Sequence, residues 1–216
     1  VIIQGDAASS FAVALSAFNE GKEVIHVEAG LRTHNLRSPF PEEGFRKMIS
    51  HISNIHFCPT IKSVENLKNE GITENVHLVG NTIVDSCAQI IDKGESSDYL
   101  NELISSNDDY YLCTLHRREN INNFQSMWEQ LNQISENKTI IYIKHPSVPN
   151  SEDFLGKNII KLDPMTYQDM VFAINNSKGL ISDSGVLKEE AICLNKNILI
   201  CIDTSERPET IDRGFG

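Results

Sequence analysis

The chain has 216 residues and a formal net charge of −11 at pH 7. This acidity disfavours an extended surface for nucleic acid or for an anionic membrane, although it allows a local basic pocket for one diphosphate. The length is sufficient to bury a substantial core in one large or two small domains. The sequence has no signal-peptide pattern and no apolar stretch near the ~18 residues needed to cross a bilayer.

The cysteines are scattered without a CxxC pair, and most lie in or beside apolar runs. They are Cys58, Cys87, Cys113, Cys193 and Cys201. We interpret them as reduced thiols rather than disulfides, which is typical of a cytoplasmic protein. The histidines lack metal-ligand spacings such as HxxxH, and neither a GxGxxG nor a Walker A loop occurs, so we predict no metal and no cofactor.

Apolar runs of strand length alternate with helical patterns along the first half of the chain, which is typical of βα units in a parallel sheet. Strands are predicted over 1–4, 23–27, 55–57 and 76–79. Helices are predicted over 9–20, 42–53, 61–70 and 82–93. The polar stretch 94–109 is predicted to connect two domains, with a short linking helix as the alternative.

The alternation restarts at residue 110. Strands are predicted over 110–115, 139–144, 159–162, 179–181 and 198–202. Helices are predicted over 123–135, 166–176 and 186–194. We therefore predict an α/β protein with two Rossmann-like domains, 1–94 and 110–216, joined by 95–109, with parallel sheets and a cleft between the domains.

Five polar clusters each follow an apolar run directly. They are 5–6, Glu28, 116–119, 145–146 and 182–185. Because the carboxyl ends of parallel strands lie along one edge, where α/β proteins bind ligands, the clusters predict a binding site.

Asp6, Glu28 and Glu42 are predicted to form an acidic cluster. Like charges held close together raise at least one carboxyl pKa, which suits general acid and base work near neutral pH. In the alternative interpretation, Glu42 and Glu43 only cap a helix, while Glu28 pairs with Arg32.

Two further clusters suit a phosphate group. His116 and Arg117 offer an imidazole and a guanidinium for phosphate oxygens, although a surface salt-bridge cluster is the alternative. Ser184 and Gly185 precede a predicted helix whose free N–H groups can bind an anion, and simple capping would have the same pattern. A structural histidine is the more common explanation for His145.

Together these residues resemble a known family, the bacterial non-hydrolysing UDP-N-acetylglucosamine 2-epimerases. Ten ordered motifs carry the resemblance, and they lie at 5–6, 26–33, 38–44, 57–60, 79–82, 116–120, 145–146, 182–185, 189–191 and 206–209. The hydrolysing branch is disfavoured, since it has a His-Gly-Gly-Glu type segment where this chain has residues 26–29. A glycosyltransferase of the same architecture and a noncatalytic nucleotide-sugar sensor stay open as alternatives.

The resemblance implies a GT-B-like fold and interconversion of UDP-N-acetylglucosamine with UDP-N-acetylmannosamine for surface polysaccharide. The implied chemistry is anti elimination of UDP, giving 2-acetamidoglucal, followed by re-addition of UDP. It also implies a cytoplasmic homodimer that binds UDP-N-acetylglucosamine as substrate and as activator, without nucleic acid, membrane or cofactor.

Site roles follow from the same resemblance. The acids and bases correspond to Asp6, Glu28 and Glu42, and His116 corresponds to the histidine near the departing diphosphate. Ser184 and Gly185 lie at the phosphate, Glu190 at the ribose, and Arg117 and His145 at the activator. Arg207 is also implied in substrate binding.

The chain departs from the family pattern at several positions. Val186 replaces a usual glycine and is expected to crowd the pyrophosphate or to forbid a positive φ. Lys188 replaces glutamine, Phe45 replaces asparagine, and residues 7–8 are alanines in place of threonines. The chain also starts inside a predicted strand, so we expect a fragment with little or no activity of its own.

Overall fold

The computed structural model describes residues 1–117, 120, 123–146, 148, 156–202 and 214–216. Contacts divide the chain into two compact units, of which the first is Val1–Thr82 and the second begins at Ile83. The helix that starts at Thr82 therefore belongs to the second unit, whereas the sequence interpretation grouped it with the first domain.

The first unit is a four-stranded parallel sheet with helical crossovers. Its strands are β1 (Ile2–Gln4), β2 (Ile25–Val27), β3 (Ile55–Cys58) and β4 (Val76–Leu78), in the order β1-β2-β3-β4. Its helices are α1 (Ala8–Asn19), α2 (Glu42–Ile52) and α3 (Ile61–Asn69). Since all four strands are parallel, their carboxyl ends lie along one edge.

Small and branched apolar side chains join α1 and α2 to this sheet. Ala14 of α1 and Ile49 of α2 are fully buried and pack with Ile3 of β1 and with Val24. Phe45 of α2 stacks on Phe11 of α1 with ring centroids 5.3 Å apart. The departure from the family pattern at Phe45 therefore adds an aromatic contact between the two helices.

The second unit is a five-stranded parallel sheet in the order β7-β6-β5-β8-β9. Its strands are β5 (Tyr110–Thr114), β6 (Thr139–Ile143), β7 (Ile159–Leu162), β8 (Gly179–Ser182) and β9 (Ile198–Ile200). Its helices are α4 (Thr82–Lys93), α5 (Asp98–Ser105), α6 (Phe124–Ser135), α7 (Tyr167–Asn176) and α8 (Gly185–Cys193). The chain runs outward from β5 to β7 and then returns to β8 on the other side of β5, so the strand order reverses beside β5, where such folds bind ligands.

Both faces of this sheet are covered, as continuous apolar strands predict. Along β5, Tyr110 and Leu112 enter one core cluster and Cys113 enters the other. Trp128 of α6 meets Tyr142 of β6 edge to face, with centroids 4.8 Å apart and planes at 83°. The strand ends are consequently held by a core on each side of the sheet.

The predicted strands and helices are all present, and no end differs by more than two residues. The stretch 94–109 contains α5, so the linking-helix alternative is confirmed. Leu100 of α5 is buried in the core of the second unit, and the segment is thus part of that unit rather than a bare connection. Across the residues that the structure describes, we find no helix with the length and apolar character to cross a membrane.

Two glycines provide a matched test of the first unit, because both have a left-handed φ, +82° at Gly30 and +63° at Gly21. A Cβ at Gly30 would lie 2.3 Å from the carbonyl oxygen of Ser63, whereas a Cβ at Gly21 would have no neighbour within 4 Å. We expect Gly30→Ala to lower the free energy of unfolding by at least about 3 kcal/mol. Gly21→Ala should cost about 1 kcal/mol, from its φ alone.

Urea unfolding of the two variants measures this difference. Equal losses would contradict the close approach of Gly30 to Ser63.

Candidate functional site

Asp6 and Glu28 follow neighbouring strands of the first unit. Gly5 precedes Asp6 with a φ of +73°, and its N–H donates to the carbonyl of Val27 at 3.1 Å. Glu28 also has a positive φ, 68°, and its Oε2 would lie 3.5 Å from a Cβ built at Gly5. The carboxylate of Glu28 therefore lies over the turn that leads to Asp6.

The side chain of His26 holds this turn through a hydrogen bond to the backbone of Gly5. It is 1% exposed on β2, and its Nε2 lies 2.9 Å from the carbonyl oxygen of Gly5. Burial is the main cause that lowers the pKa of His26 from 6.5 to about 4, against the opposing effect of its hydrogen bond to Gly5. The imidazole is thus neutral at pH 7 and donates to the Gly5 carbonyl through Nε2–H.

Arg46 of α2 holds the Asp6 carboxylate. Its Nε and Nη2 both lie 2.7 Å from Oδ2 of Asp6, while its Nη1 lies 3.2 Å from Oε2 of Glu43. Hydrogen bonds between charged groups are roughly twice as strong as neutral ones. Arg46 therefore joins the loop after β1 to the helix that begins at Glu42.

Glu43 anchors the loop before α2. It is fully buried, and its carboxylate accepts the backbone N–H groups of Thr33 and His34, each at 3.0 Å. The N-cap of α2 is Pro41, without a side-chain cap, so the interpretation of Glu43 as only a helix cap is wrong. Glu42 is half-buried in the first turn of the same helix.

The sequence interpretation missed Glu43 and Arg46 as site residues. An acid and a base three residues apart in a predicted helix were the available indication.

Arg32 pairs with Glu70. The alternative interpretation, in which Arg32 pairs with Glu28, is therefore wrong. Nε and Nη2 of Arg32 donate to the two carboxylate oxygens of Glu70 at 2.9 and 2.7 Å, and Nη2 also donates to Ser50. Burial acts to raise the pKa of Glu70, but the hydrogen bond and charge of Arg32 outweigh it, so that the pKa is lowered. This pair lies within the first unit and links residues that are distant in its sequence.

Asp183 is the anchor of the second unit. It follows β8, is fully buried, and accepts the backbone N–H groups of His116 and Arg117 at 3.0 and 2.9 Å. The side-chain amide of Asn120 donates to Asp183 and also to the carbonyl of Cys201, both at 2.9 Å. One carboxylate thereby joins the loops that follow β5 and β8, where the strand order reverses.

The His116 imidazole lies between this anchor and a second histidine. Its Nδ1 is 3.4 Å from Oδ1 of Asp183, and its ring stacks on His145 with centroids 4.8 Å apart. Burial, followed by the neighbouring charges of His145 and Arg117, lowers the pKa of His116, although Asp183 opposes the change. The imidazole is therefore mostly uncharged near pH 7 and able to accept a proton.

The loop after β8 leads into the N-terminus of α8. Ser184 is its N-cap, with Oγ accepting from the N–H of Leu187 at 3.5 Å, and the helix begins at Gly185. The capping alternative for Ser184 is confirmed as a contact, and an N-capped helix start also favours an anion. Val186 is 48% exposed in the helix and has no positive φ. The expectation that its branched side chain conflicts with a positive φ at this position is therefore wrong.

Glu190 lies further along α8 and is 2% exposed. Burial raises its pKa to about 7, against the opposing effect of a hydrogen bond from Tyr167. Lys188, which replaces the glutamine of the family pattern, is fully buried.

The structure thus brings Asp6, Glu28 and Glu42 into the first unit. It places the others in the second unit, namely His116, Arg117, His145, Ser184, Gly185 and Glu190. The prediction for Arg207 lies outside the described residues. Within the described ranges, no group of three or more His, Cys, Asp or Glu side chains could hold a metal ion.

A cavity of about 460 Å³ opens at the end of β7. It is lined by Ser97, Leu100, Lys161, Asp163, Thr166 and Asp169, among others, and by none of the predicted site residues.

The buried His26 predicts a pH effect on stability. The unfolded chain binds a proton at this residue near pH 6.5, whereas the folded protein resists protonation to about pH 4, so the free energy of unfolding falls as the pH decreases through this range. At about 1.4 kcal/mol per pH unit, the loss is on the order of 3 kcal/mol. His26→Gln should remove it, and His77→Gln, on exposed β4, should not. Equilibrium unfolding from pH 7 to pH 4 compares them, and parallel pH curves for His26→Gln and the wild type would contradict the assignment.

Asp183 predicts a loss of both stability and His116 basicity. In Asp183→Asn the new amide N–H₂ group must face at least one of the N–H donors that the carboxylate now accepts. We therefore expect the free energy of unfolding to fall by about 2 to 4 kcal/mol. The pKa of His116 should fall further, because the charge of Asp183 raises it. Urea unfolding and an NMR titration of His116 measure the two effects. Asp163→Asn, exposed at the end of β7, is the control and should change stability by less than about 0.5 kcal/mol. Equal behaviour of the two variants would remove Asp183 as the anchor.

A family model for UDP-N-acetylglucosamine 2-epimerase matches residues 1–216. The chain is 37% identical to the protein of that name from Campylobacter jejuni, over 99% of this chain and 61% of that protein. It is 36% identical to the protein of the same name from Escherichia coli K12, with the same coverage. The chain therefore spans about three fifths of the length of these curated relatives.

Solved structures agree with this relationship. The crystal structure of UDP-GlcNAc 2-epimerase from Neisseria meningitidis bound to UDP-GlcNAc has a TM-score of 0.89 and 33% identity, over 98% of this chain and 62% of that chain. The enzyme from Methanocaldococcus jannaschii, in complex with UDP-GlcNAc and UDP, has a TM-score of 0.88 and 35% identity with the same coverage. The predicted GT-B-like α/β fold class is thereby confirmed. Because the family model matches every residue, the chain belongs to the UDP-N-acetylglucosamine 2-epimerase family.

Proposed function

We propose that the protein containing this chain is a non-hydrolysing UDP-N-acetylglucosamine 2-epimerase. It interconverts UDP-N-acetylglucosamine and UDP-N-acetylmannosamine and supplies precursors of surface polysaccharide as a cytoplasmic homodimer. The family match over the whole chain carries the proposal. Relatives whose structures are described as bound to UDP-GlcNAc and UDP support the choice of substrate.

The proposed reaction begins with loss of the proton at sugar C2 and departure of UDP from C1. The products are 2-acetamidoglucal and UDP, which recombine after C2 is reprotonated on the opposite face. Two faces of C2 exchange protons, so the reaction needs more than one acid or base. Since the sugar is neither oxidised nor reduced overall, the protein needs no redox cofactor.

Asp6, Glu28 and Glu42 supply the acids and bases in this proposal. Two N–H groups of Arg46 hold Oδ2 of Asp6, and they thereby fix the orientation of the whole carboxylate. Glu28 lies over the same turn, and Glu42 is half-buried at the start of α2. We assign the proton transfers at C2 to this group of carboxylates.

The departing diphosphate is stabilised in the second unit. Negative charge develops on it as the C1–O bond breaks, and preorganised donors lower the barrier to that step. We assign His116 and the N-terminus of α8, at Ser184 and Gly185, to the phosphates and Glu190 to the ribose. Arg117 and His145 bind a second UDP-N-acetylglucosamine as activator, and the stacking of His145 on His116 supports a coupling between the two ligands.

Proton NMR of UDP-N-acetylglucosamine in deuterated water tests the reaction with the full-length protein. We expect deuterium at C2 and formation of UDP-N-acetylmannosamine, with little free UDP. Accumulation of UDP and free N-acetylmannosamine would instead assign the protein to the hydrolysing branch. Binding without any exchange at C2 would favour a noncatalytic sensor.

Glu42→Gln provides the matched test of the acidic group. We expect kcat to fall by about 10² to 10⁴, the usual contribution of a general acid or base. Glu65→Gln is the control, since Glu65 lies on the surface of α3 in a pair with Lys62. The rate of C2 deuteration measures both variants, and an unchanged rate in Glu42→Gln would exclude Glu42 from proton transfer.

A further inference from the structure

We propose that His26 is a positioning residue for proton transfer at sugar C2, whose imidazole fixes the turn after β1 and so sets where Asp6 lies relative to Glu28. This inference rests on the proposed roles of Asp6 and Glu28 as acids and bases. His26 acts through these two residues, since its own side chain is only 1% exposed.

His26 is the central residue of β2, which has a parallel strand on each side. It is in register with Ile3 of β1 and with His56 of β3, so the three side chains share one face of the sheet. Ile3 and His56 are 6% and 2% exposed. The ring of His26 is therefore enclosed by packed neighbours, and its position follows that of the central strand.

The end of β2 holds Gly5 at both of its backbone polar groups. The N–H of Gly5 donates to the carbonyl of Val27 at 3.1 Å, and the carbonyl of Gly5 accepts Nε2–H of His26 at 2.9 Å. That carbonyl belongs to the peptide group that joins Gly5 to Asp6, so its orientation sets the direction in which the chain enters Asp6. The two bonds maintain the left-handed φ of Gly5, +73°, in the turn.

Glu28 continues from the same two residues of β2. It follows Val27 directly, and its Oε2 would lie 3.5 Å from a Cβ built at Gly5. The strand that carries Glu28 thus also holds the turn that carries Asp6, and the spacing of the two carboxylates depends on the bond from His26. Proton transfer at C2 requires this spacing, because a misplacement of about 1 Å lowers a rate by about 10²-fold.

Arg46 holds the Asp6 side chain independently of His26. Its Nε and Nη2 both lie 2.7 Å from Oδ2 of Asp6, and Arg46 is 5% exposed. Because this ion pair remains when the His26 bond is removed, we expect the turn to loosen while the carboxylate stays at the sheet edge. Loss of the bond should therefore change the geometry of proton transfer more than the binding of substrate.

The His26 ring suits a fixed donor rather than an acid or base. Among the described residues, its Nδ1 has no hydrogen-bond partner, so a proton added there would have no acceptor. The charged and titratable groups around the ring are His56 from β3, Arg32 from the loop after β2 and Asp6 from the loop after β1. Since burial lowers the pKa of His26 to about 4, the ring stays an Nε2–H donor near pH 7.

Two variants of His26 in the full-length protein test the inference, with C2 deuteration of UDP-N-acetylglucosamine as the assay. His26→Leu removes the donor at similar volume, whereas His26→Gln keeps an N–H near the position of Nε2. We expect His26→Leu to lower kcat by about 10- to 100-fold, with KM changed by less than about threefold. His26→Gln should restore kcat to within about fivefold of the wild type.

His56→Leu is the matched control. His56 is as buried as His26 and lies beside it in register, but within the described ranges its ring makes no hydrogen bond to the turn. Its kcat should stay within about threefold of the wild type. Titration with UDP counts the binding-competent sites of each variant, so that kcat refers to folded protein.

The tautomer of His26 gives a readout that needs no variant. The inference requires the Nε2–H tautomer at pH 7, and ¹⁵N NMR of the histidine-labelled wild type measures it. A ring protonated at Nδ1 alone would overturn the inference.

The outcomes separate this inference from the proposed function. Failure of the wild type to exchange the C2 proton overturns the proposed function, and the inference with it. Exchange by the wild type, with equal kcat values for His26→Leu and His56→Leu, overturns the inference alone. The same holds if His26→Gln is as slow as His26→Leu, or if His26→Leu raises KM at an unchanged kcat.

Discussion

The hydrogen bonds that Asp183 accepts hold together the loops at the carboxyl edge of the second sheet. A buried carboxylate is costly unless its charge is compensated, and here two backbone N–H groups and the Asn120 amide compensate it. The compensation ties the loop after β5 to the loop after β8. The positions of His116 and of the α8 N-terminus both depend on this one side chain.

The first unit uses the same arrangement at a different place. Glu43 is fully buried and accepts the N–H groups of Thr33 and His34, while Arg46 bridges it to Asp6. In each unit one buried acid accepts backbone N–H groups and thereby fixes a loop at the sheet edge. Glu42 and Glu43 are neighbours in sequence, but only Glu43 is fully buried and bonded in this way.

Most of the fold follows from patterns that are local in sequence. Strand-length apolar runs and helical spacing predicted the elements to within two residues, because period and turn residues are properties of short segments. Local patterns did not predict that α4 belongs to the second unit, and they gave the helix α5 within 94–109 only as an alternative. Their place depends on contacts with distant residues, such as the burial of Leu100 in the core of the second unit.

The sequence by itself determined which polar residues follow strands, and so which of them gather at a sheet edge. It also carried the family resemblance, since motifs are strings of residue types. Only the tertiary structure decided the partners: Arg32 with Glu70, Arg46 with Asp6, and Tyr167 with Cys87. These pairs are separated by 38 or more positions in the chain, and a pairing at that distance is set by strand order and helix packing, which no local pattern encodes.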